Sequence, residues 1–192
     1  MTSIKYDPER AKQLLREARV PDLTFTISYG AGRYLMDKEV VEAIQAQLRR
    51  VGVTVRIQAM EWAQFSEMTR QPLEKNITEM TFTWWRTING DADSAISIFT
   101  RAEWPPQGNK VPFYYNEAFE RLYKAQQVET DPNRRREFLQ QLQQVAMQDL
   151  LVIPIYNQPQ YWAARKAVKG FGEKITPLST LLPLYDVENY EA

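Results

Sequence analysis

Apolar positions recur along the chain with two alternating periods. "DLTFTIS" sets Leu23, Phe25 and Ile27 against polar threonines, the period-two pattern of a half-buried strand. "DKEVVEAIQAQLRRVG" places Val40, Val41, Ile44 and Leu48 on one helical face, with Gly52 where a left-handed C-cap is usual. "VTVRIQ" then returns as a strand through Val53, Val55 and Ile57. A strand, a helix and a second strand in that order predict a parallel pair with a right-handed crossover.

Other segments extend this α/β reading. "YDPERAKQLLREA" opens a helix with Asp7 as N-cap and Pro8 at the first helical position, and Asp131-Pro132 repeats the device before "NRRREFLQQLQQVAMQDL". That last helix has its apolar stripe at Phe138, Leu142, Val145 and Ala146. "EWAQFSEMTR", "SAISIFTRAEW" and "NEAFERLYKAQQVE" read as helices and "ITEMTFTWW" as a third strand. "LVIPIYNQPQYWAAR" is β-like, its prolines confining it to an edge or a crossing between layers. The pattern predicts one α/β domain over 1–192, a parallel or mixed sheet flanked by helices. Ligands of such sheets bind beyond the carboxyl ends of strands.

Composition narrows the chemistry. The 192 residues include neither cysteine nor histidine, which removes thiol nucleophiles, zinc sites of the usual kind and histidine-based triads. Lysine plus arginine equals aspartate plus glutamate at 24 each, so no basic excess exists to displace counterions from a nucleic acid. "DADSAI" lacks the third ligand and the glycine of a calcium loop, and no metal site or cofactor is expected. The charged, helical N-terminus does not read as a signal peptide. The chain is then either cytoplasmic or a piece whose targeting segment lies upstream.

The chemistry-bearing stretch is "MTFTWWRTINGDADS", residues 80–94, which ends a strand in two tryptophans and breaks into a polar turn. Trp84 and Trp85 point to opposite faces, so one packs inward and the other offers a rigid wall and an N–H donor. Arg86 can fork onto a ligand carboxylate, or brace the turn through Asp91 or Asp93. Thr87 and Asn89 offer hydroxyl and amide groups. Asp91 and Asp93 serve either as cap and first-turn acid of a following helix or as contacts for a ligand amine. Tyr114 and Tyr115 precede a helix and could clamp a ligand or pack, and Asn157 ends the "VIPIY" segment beside Gln158.

The order of these segments resembles the C-terminal portion of the peptide-type (family 5) extracellular solute-binding proteins of ABC transporters. "YDPERAKQLLREA", "VVEAIQAQLRRVGVTVRIQAMEWAQF", the helix pair leading into "VIPIY", and "AVKGF" carry the resemblance. It implies a lobe of the periplasmic-binding-protein type II fold, the second of two that close on a solute. The first lobe would be missing, and residues 150–192 would return toward it. It also implies a peptide-like ligand, an ABC permease as partner, and a location in the periplasm or on the outer face of the membrane, secreted or lipid-anchored. In the family's peptide receptors a Gly-Trp-x-Ala-Asp strand end lies along the ligand, and its aspartate holds the α-ammonium. Here that aspartate falls on Ile88, whereas Gly90-Asp91-Ala92-Asp93 resembles a branch that includes glutathione-binding receptors. Tyr114, Tyr115 and Asn157 would border the cleft. Two other readings are a small hydrolase or transferase built on Asp91 and Asp93, and a stand-alone interaction domain.

Overall fold

Asp7 accepts a hydrogen bond from the backbone N–H of Arg10 at 2.8 Å and Pro8 takes the first helical position, so α1 (Pro8–Glu17) starts at the expected cap. The structure is a computed structural model that describes residues 5–85, 87, 90–108, 112–158, 163 and 165. After α1 come β1 (Thr24–Gly30), α2 (Asp37–Arg49), β2 (Thr54–Met60), α3 (Trp62–Thr69) and β3 (Met80–Thr81). Then follow α4 (Asp93–Ile96), α5 (Glu117–Val128) and α6 (Pro132–Gln148). These elements form two compact units. The first gathers the chain up to Trp84 together with Arg101–Tyr114; the second gathers Trp85–Thr100 and the chain from Tyr115 onward.

In the first unit β1 is the central strand of a parallel sheet in the order β2-β1-β3. Thr24 pairs with Thr54 through to Gly30 with Met60, and Ile27 and Ser28 pair with Met80 and Thr81. The crossover helix α2 ends at Arg49, and the chain turns toward β2 through Gly52, whose φ of 93° is open to glycine and strained for other residues. Ile27, Tyr29, Val41, Val53 and Val55 form the core, with Leu15, Ile44, Leu48 and Phe82 packed against it. Each such buried side chain contributes about 1.5–3 kcal/mol of transfer free energy. β1 is covered on both faces toward its carboxyl end, as central parallel strands are, so the alternation read from Leu23, Phe25 and Ile27 gives way to four buried residues in a row.

In the second unit Asn116 accepts from the N–H groups of Ala118 and Phe119, at 2.9 and 3.2 Å, and starts α5. Asp131 does the same for α6 through Asn133 and Arg134. Phe119, Gln126 and Leu142 are buried, and Phe99 meets Phe119 edge to face at 6.2 Å. On α6 Leu142 alone of the expected stripe is fully buried; Phe138, Val145 and Ala146 are half-buried.

Three expectations need correction. The third strand shrinks to Met80–Thr81, extended by the Phe82 N–H donating to the Ser28 carbonyl. Before it, the Glu79 carboxylate takes the Thr26 N–H at 2.8 Å, a donor that a strand carbonyl would otherwise accept. The helix expected over 94–104 breaks into α4 and two 3₁₀ turns, Ser97–Phe99 and Arg101–Glu103. Thr100 closes the first turn by donating both its N–H and its hydroxyl to the Ser97 carbonyl and then extends. Residues 151–158 form no strand ladder among the described residues.

Candidate functional site

Parallel pairing sends the carboxyl ends of all three strands of the first unit to one edge of its sheet. The loop after β1, the start of α3 after β2 and the residues after β3 therefore meet there. Tyr34 stacks edge-on against Phe82 and Trp84, at 6.5 and 6.4 Å between ring centres, and its hydroxyl shares a hydrogen bond with the Thr83 hydroxyl at 3.2 Å. The Arg33 guanidinium lies over the Trp62 ring, 4.7 Å from its centroid, and 5.9 Å from that of Tyr34. Arg33 is exposed, and among the described residues no carboxylate pairs with it. A guanidinium held on aromatic faces with its donors uncommitted suits a planar anion such as a carboxylate.

Local chemistry fixes this edge. Asp37, only 5% exposed, accepts from the Tyr34 N–H at 3.2 Å and from the Lys38 N–H at 2.7 Å, closing the loop onto the start of α2. Gly30 leaves room for the Trp62 indole, since a Cβ there would lie 2.7 Å from a ring carbon. Glu61 caps α3 by accepting from Ala63 and Gln64, which places Trp62 in the first turn.

The second unit holds the polar turn. Gly90, at φ 77°, leads into Asp91, whose carboxylate accepts a two-pronged fork from Arg135 of α6 at 2.8 and 2.7 Å. Asp91 also accepts from the Asp93 N–H at 2.8 Å, and its carbonyl accepts from the Ser94 hydroxyl. The hydrogen bonds from Arg135, followed by that from Asp93, hold the Asp91 carboxyl below its ordinary range. Arg135 donates in addition to the Gln126 side-chain oxygen and carbonyl. Gln126, wholly buried, passes the connection on by donating to Asp93 at 2.6 Å. The Trp85 indole N–H donates to the Ala95 carbonyl at 3.0 Å, while 42% of the residue stays exposed.

The candidates from sequence thus fall into distinct settings. Trp84 joins Tyr34 in the first unit, where Tyr114 is half-buried. Trp85 spans the turn of the second unit, and Asp91 and Asp93 are tied to α5 and α6. Among the described residues Arg135 braces Asp91; Arg86 and Asn89, offered for the turn, lie outside the described residues. The Thr87 hydroxyl is buried without a hydrogen-bond partner among the described residues. Tyr115 and Asn157 are exposed in the second unit. Sequence reasoning missed Arg33, Tyr34 and Trp62. The rule that pointed to the end of β3, that ligands sit beyond strand carboxyl ends, applies equally to "AGRYLM" after β1 and to "EW" after β2.

A family model described as bacterial extracellular solute-binding proteins, family 5 Middle, matches residues 2–106. The chain belongs to this family. Among curated proteins this family 5 chain is similar to the glutathione-binding protein GsiB of Salmonella typhimurium strain LT2, 29% identical over 168 residues. That match covers 86% of the chain and 33% of the relative. GsiB of Escherichia coli strain K12 is 28% identical over 169 residues, with the same coverage. The chain therefore spans about a third of the length of these relatives.

Among solved structures it resembles the periplasmic binding protein DppA from Helicobacter pylori in complex with the peptide STSA. The identity is 27% and the TM-score 0.64, over 78% of this chain and 28% of that one. HbpA2 from Haemophilus parasuis gives 26% and 0.64, over 75% and 28%. The family 5 chain has the α/β fold of type II periplasmic binding proteins, as expected from the segment order.

Proposed function

We propose that this chain is the second lobe of a two-lobe receptor that captures a peptide-like solute for import by an ABC permease. The partners are then the ligand, the permease in the membrane and a first lobe of the same protein, at the periplasmic or extracellular face. The observation that carries the reading is Arg33 on the Trp62 and Tyr34 rings, at the carboxyl edge of a parallel sheet in a family 5 chain. A peptide offers what this edge suits: a carboxylate for the guanidinium and flat, partly apolar surface for Tyr34, Trp62 and Trp84.

The likeness to GsiB proteins supports glutathione or a short modified peptide as the solute. The Asp91 carboxylate, already forked by Arg135, supports a ligand that needs no acid from this turn for its ammonium group. The same engagement argues against Asp91 as a general acid or base, which favours a receptor over a hydrolase built on this turn. Capture and closure supply the function.

The test is thermal shift and calorimetry on the full-length receptor with reduced glutathione, free-amine di- and tripeptides, and N-acetylated peptides. A ligand that binds only the folded state raises the melting temperature by mass action. Glutathione or N-acetylated peptides are expected to do so, and Arg33→Gln is expected to weaken binding by roughly ten- to a hundredfold, the range for a hydrogen-bonded charge. No response to any member of the panel would overturn the receptor role, and an unchanged affinity in Arg33→Gln would overturn the carboxylate contact.

A further inference from the structure

We infer that Arg135 is a positioning residue: through Asp91, and through Gln126 to Asp93, it sets the conformation of the 90–96 turn and thereby the pose of Trp85. Two segments converge on its guanidinium, the 90–96 turn 44 residues away and the last turn of α5 nine residues away. The Nη1 and Nη2 donors fork onto the two Asp91 oxygens. Nε and Nη2 reach the Gln126 side-chain oxygen at 3.1 and 3.0 Å, and Nε reaches the Gln126 carbonyl at 3.3 Å, in the last turn of α5. That carbonyl has no partner within its helix, so Arg135 also satisfies a helix C-terminus.

The Gln126 amide is oriented by the same contact. With its oxygen facing Arg135, its nitrogen faces Asp93 and donates at 2.6 Å. Gln126 is wholly buried, so neither end of the amide can turn to water instead. One cation thus fixes two carboxylates, of which Asp91 precedes α4 and Asp93 begins it.

The turn so fixed carries Ala95, whose carbonyl is the acceptor for the Trp85 indole N–H. A four-residue helix is too short to hold its shape by its own hydrogen bonds. The brace comes instead from the corner between α5 and α6. A lysine at 135 would keep the charge but lose the planar fork, reaching Asp91 or Gln126 with a single point donor. The consequence for affinity rests on the receptor role proposed above; the consequence for the turn does not.

The experiment compares wild type, Arg135→Lys, Asp91→Asn and Leu142→Ala in the full-length receptor. Leu142 is wholly buried in the same unit, about two turns along α6 from Arg135, and its side chain has no hydrogen-bonding group, so its variant controls for lost stability alone. The first readout is hydrogen exchange of the Trp85 indole N–H by NMR, assigned with Trp85→Phe. The second is the Kd for reduced glutathione and an N-acetylated tripeptide. Arg135→Lys is expected to speed the indole exchange and to raise Kd, each by roughly tenfold. Leu142→Ala is expected to leave both within about twofold at a temperature where it is fully folded. Asp91→Asn, nearly isosteric, repeats the direction and covers the case in which Arg135→Lys does not fold.

Unchanged indole exchange in both network variants overturns the inference. So does equal acceleration in Leu142→Ala, which would make the network ordinary structural support. Faster exchange with unchanged Kd removes the link to affinity and keeps the turn assignment. Absence of binding by wild type to either probe counts against the receptor reading, while the exchange data still decide the role of Arg135.

Discussion

Replacing Gly30 by alanine tests whether the Trp62 indole is a fixed wall at the edge of the sheet. Gly30 does not hold a left-handed φ, so the backbone accepts alanine and the cost is steric. The new Cβ would sit 2.7 Å from Cε3 of Trp62, and the ring must withdraw to about 3.4 Å to regain ordinary contact. Phe65 packs on the ring at 5.6 Å and Arg33 at 4.7 Å, so the ring cannot move without disturbing both. Overpacking of this kind costs about 1–3 kcal/mol, and about 2 kcal/mol is expected because Phe65 and Arg33 confine a ring of which 39% faces solvent. A stiffer unfolded chain returns about 0.4–1 kcal/mol. The net loss is therefore about 1 kcal/mol, or a fall in Tm of about 3 °C for a chain of this length.

The decisive assay is a double-mutant cycle: urea unfolding by far-ultraviolet circular dichroism for wild type, Gly30→Ala, Trp62→Ala and the double variant. Without the indole, Gly30→Ala should be neutral or stabilising by about 0.5 kcal/mol, giving a coupling of about 1–2 kcal/mol. An equal cost of Gly30→Ala in both backgrounds would show that the ring is not the obstacle, and the wall would lose its support.

Three further outcomes are expected. The Asp91 carboxyl is held below its ordinary value of 3.8 by Arg135, so its contribution to stability is full above that value and is lost as pH falls through the depressed one; Asp91→Asn should flatten this acid limb in pH-dependent urea melts, and an unaltered limb would refute the pairing. Leu142→Ala removes a wholly buried side chain and should cost about 2–5 kcal/mol by calorimetry, and a loss under about 1 kcal/mol would contradict its place in the core. Asn116→Ala removes the cap that receives two N–H groups of α5 and should cost about 1 kcal/mol in the same melts, whereas Asn116→Ser should retain most of it.

What the chain reveals before it folds is local. Asp7-Pro8, Asp131-Pro132 and Gly52 mark helix ends because caps act over three or four residues, and each stands where its pattern placed it. The β1-α2-β2 crossover is legible for the same reason, since its periods are continuous. The third strand overran its true length because period two describes a side-chain pattern, while the ladder depends on which group takes each N–H, and Glu79 takes the one of Thr26. Distant pairings left no local mark. Nothing near Asp91 in the sequence points to Arg135, which lies 44 residues on and forks onto it. Arg33, Tyr34, Trp62 and Trp84 likewise come together only because parallel strands bring their carboxyl ends to one edge.

The chain leaves the first unit after Trp84, returns at Arg101 and leaves again after Tyr114, so neither unit is one continuous stretch. No single cut in a gene would separate them, and a truncation ending at Trp84 would strip the first unit of Arg101–Tyr114, including Trp104 and Phe113, whose rings meet at 5.5 Å. During synthesis the first unit stays incomplete until Tyr114 has left the ribosome, after all of Trp85–Thr100 has already emerged. Engineers seeking to insert a reporter or permute the termini would do best to keep these three crossings intact and work in the exposed turn over 19–22, between α1 and β1, at the opposite end of the strand from the loop that carries Arg33 and Tyr34.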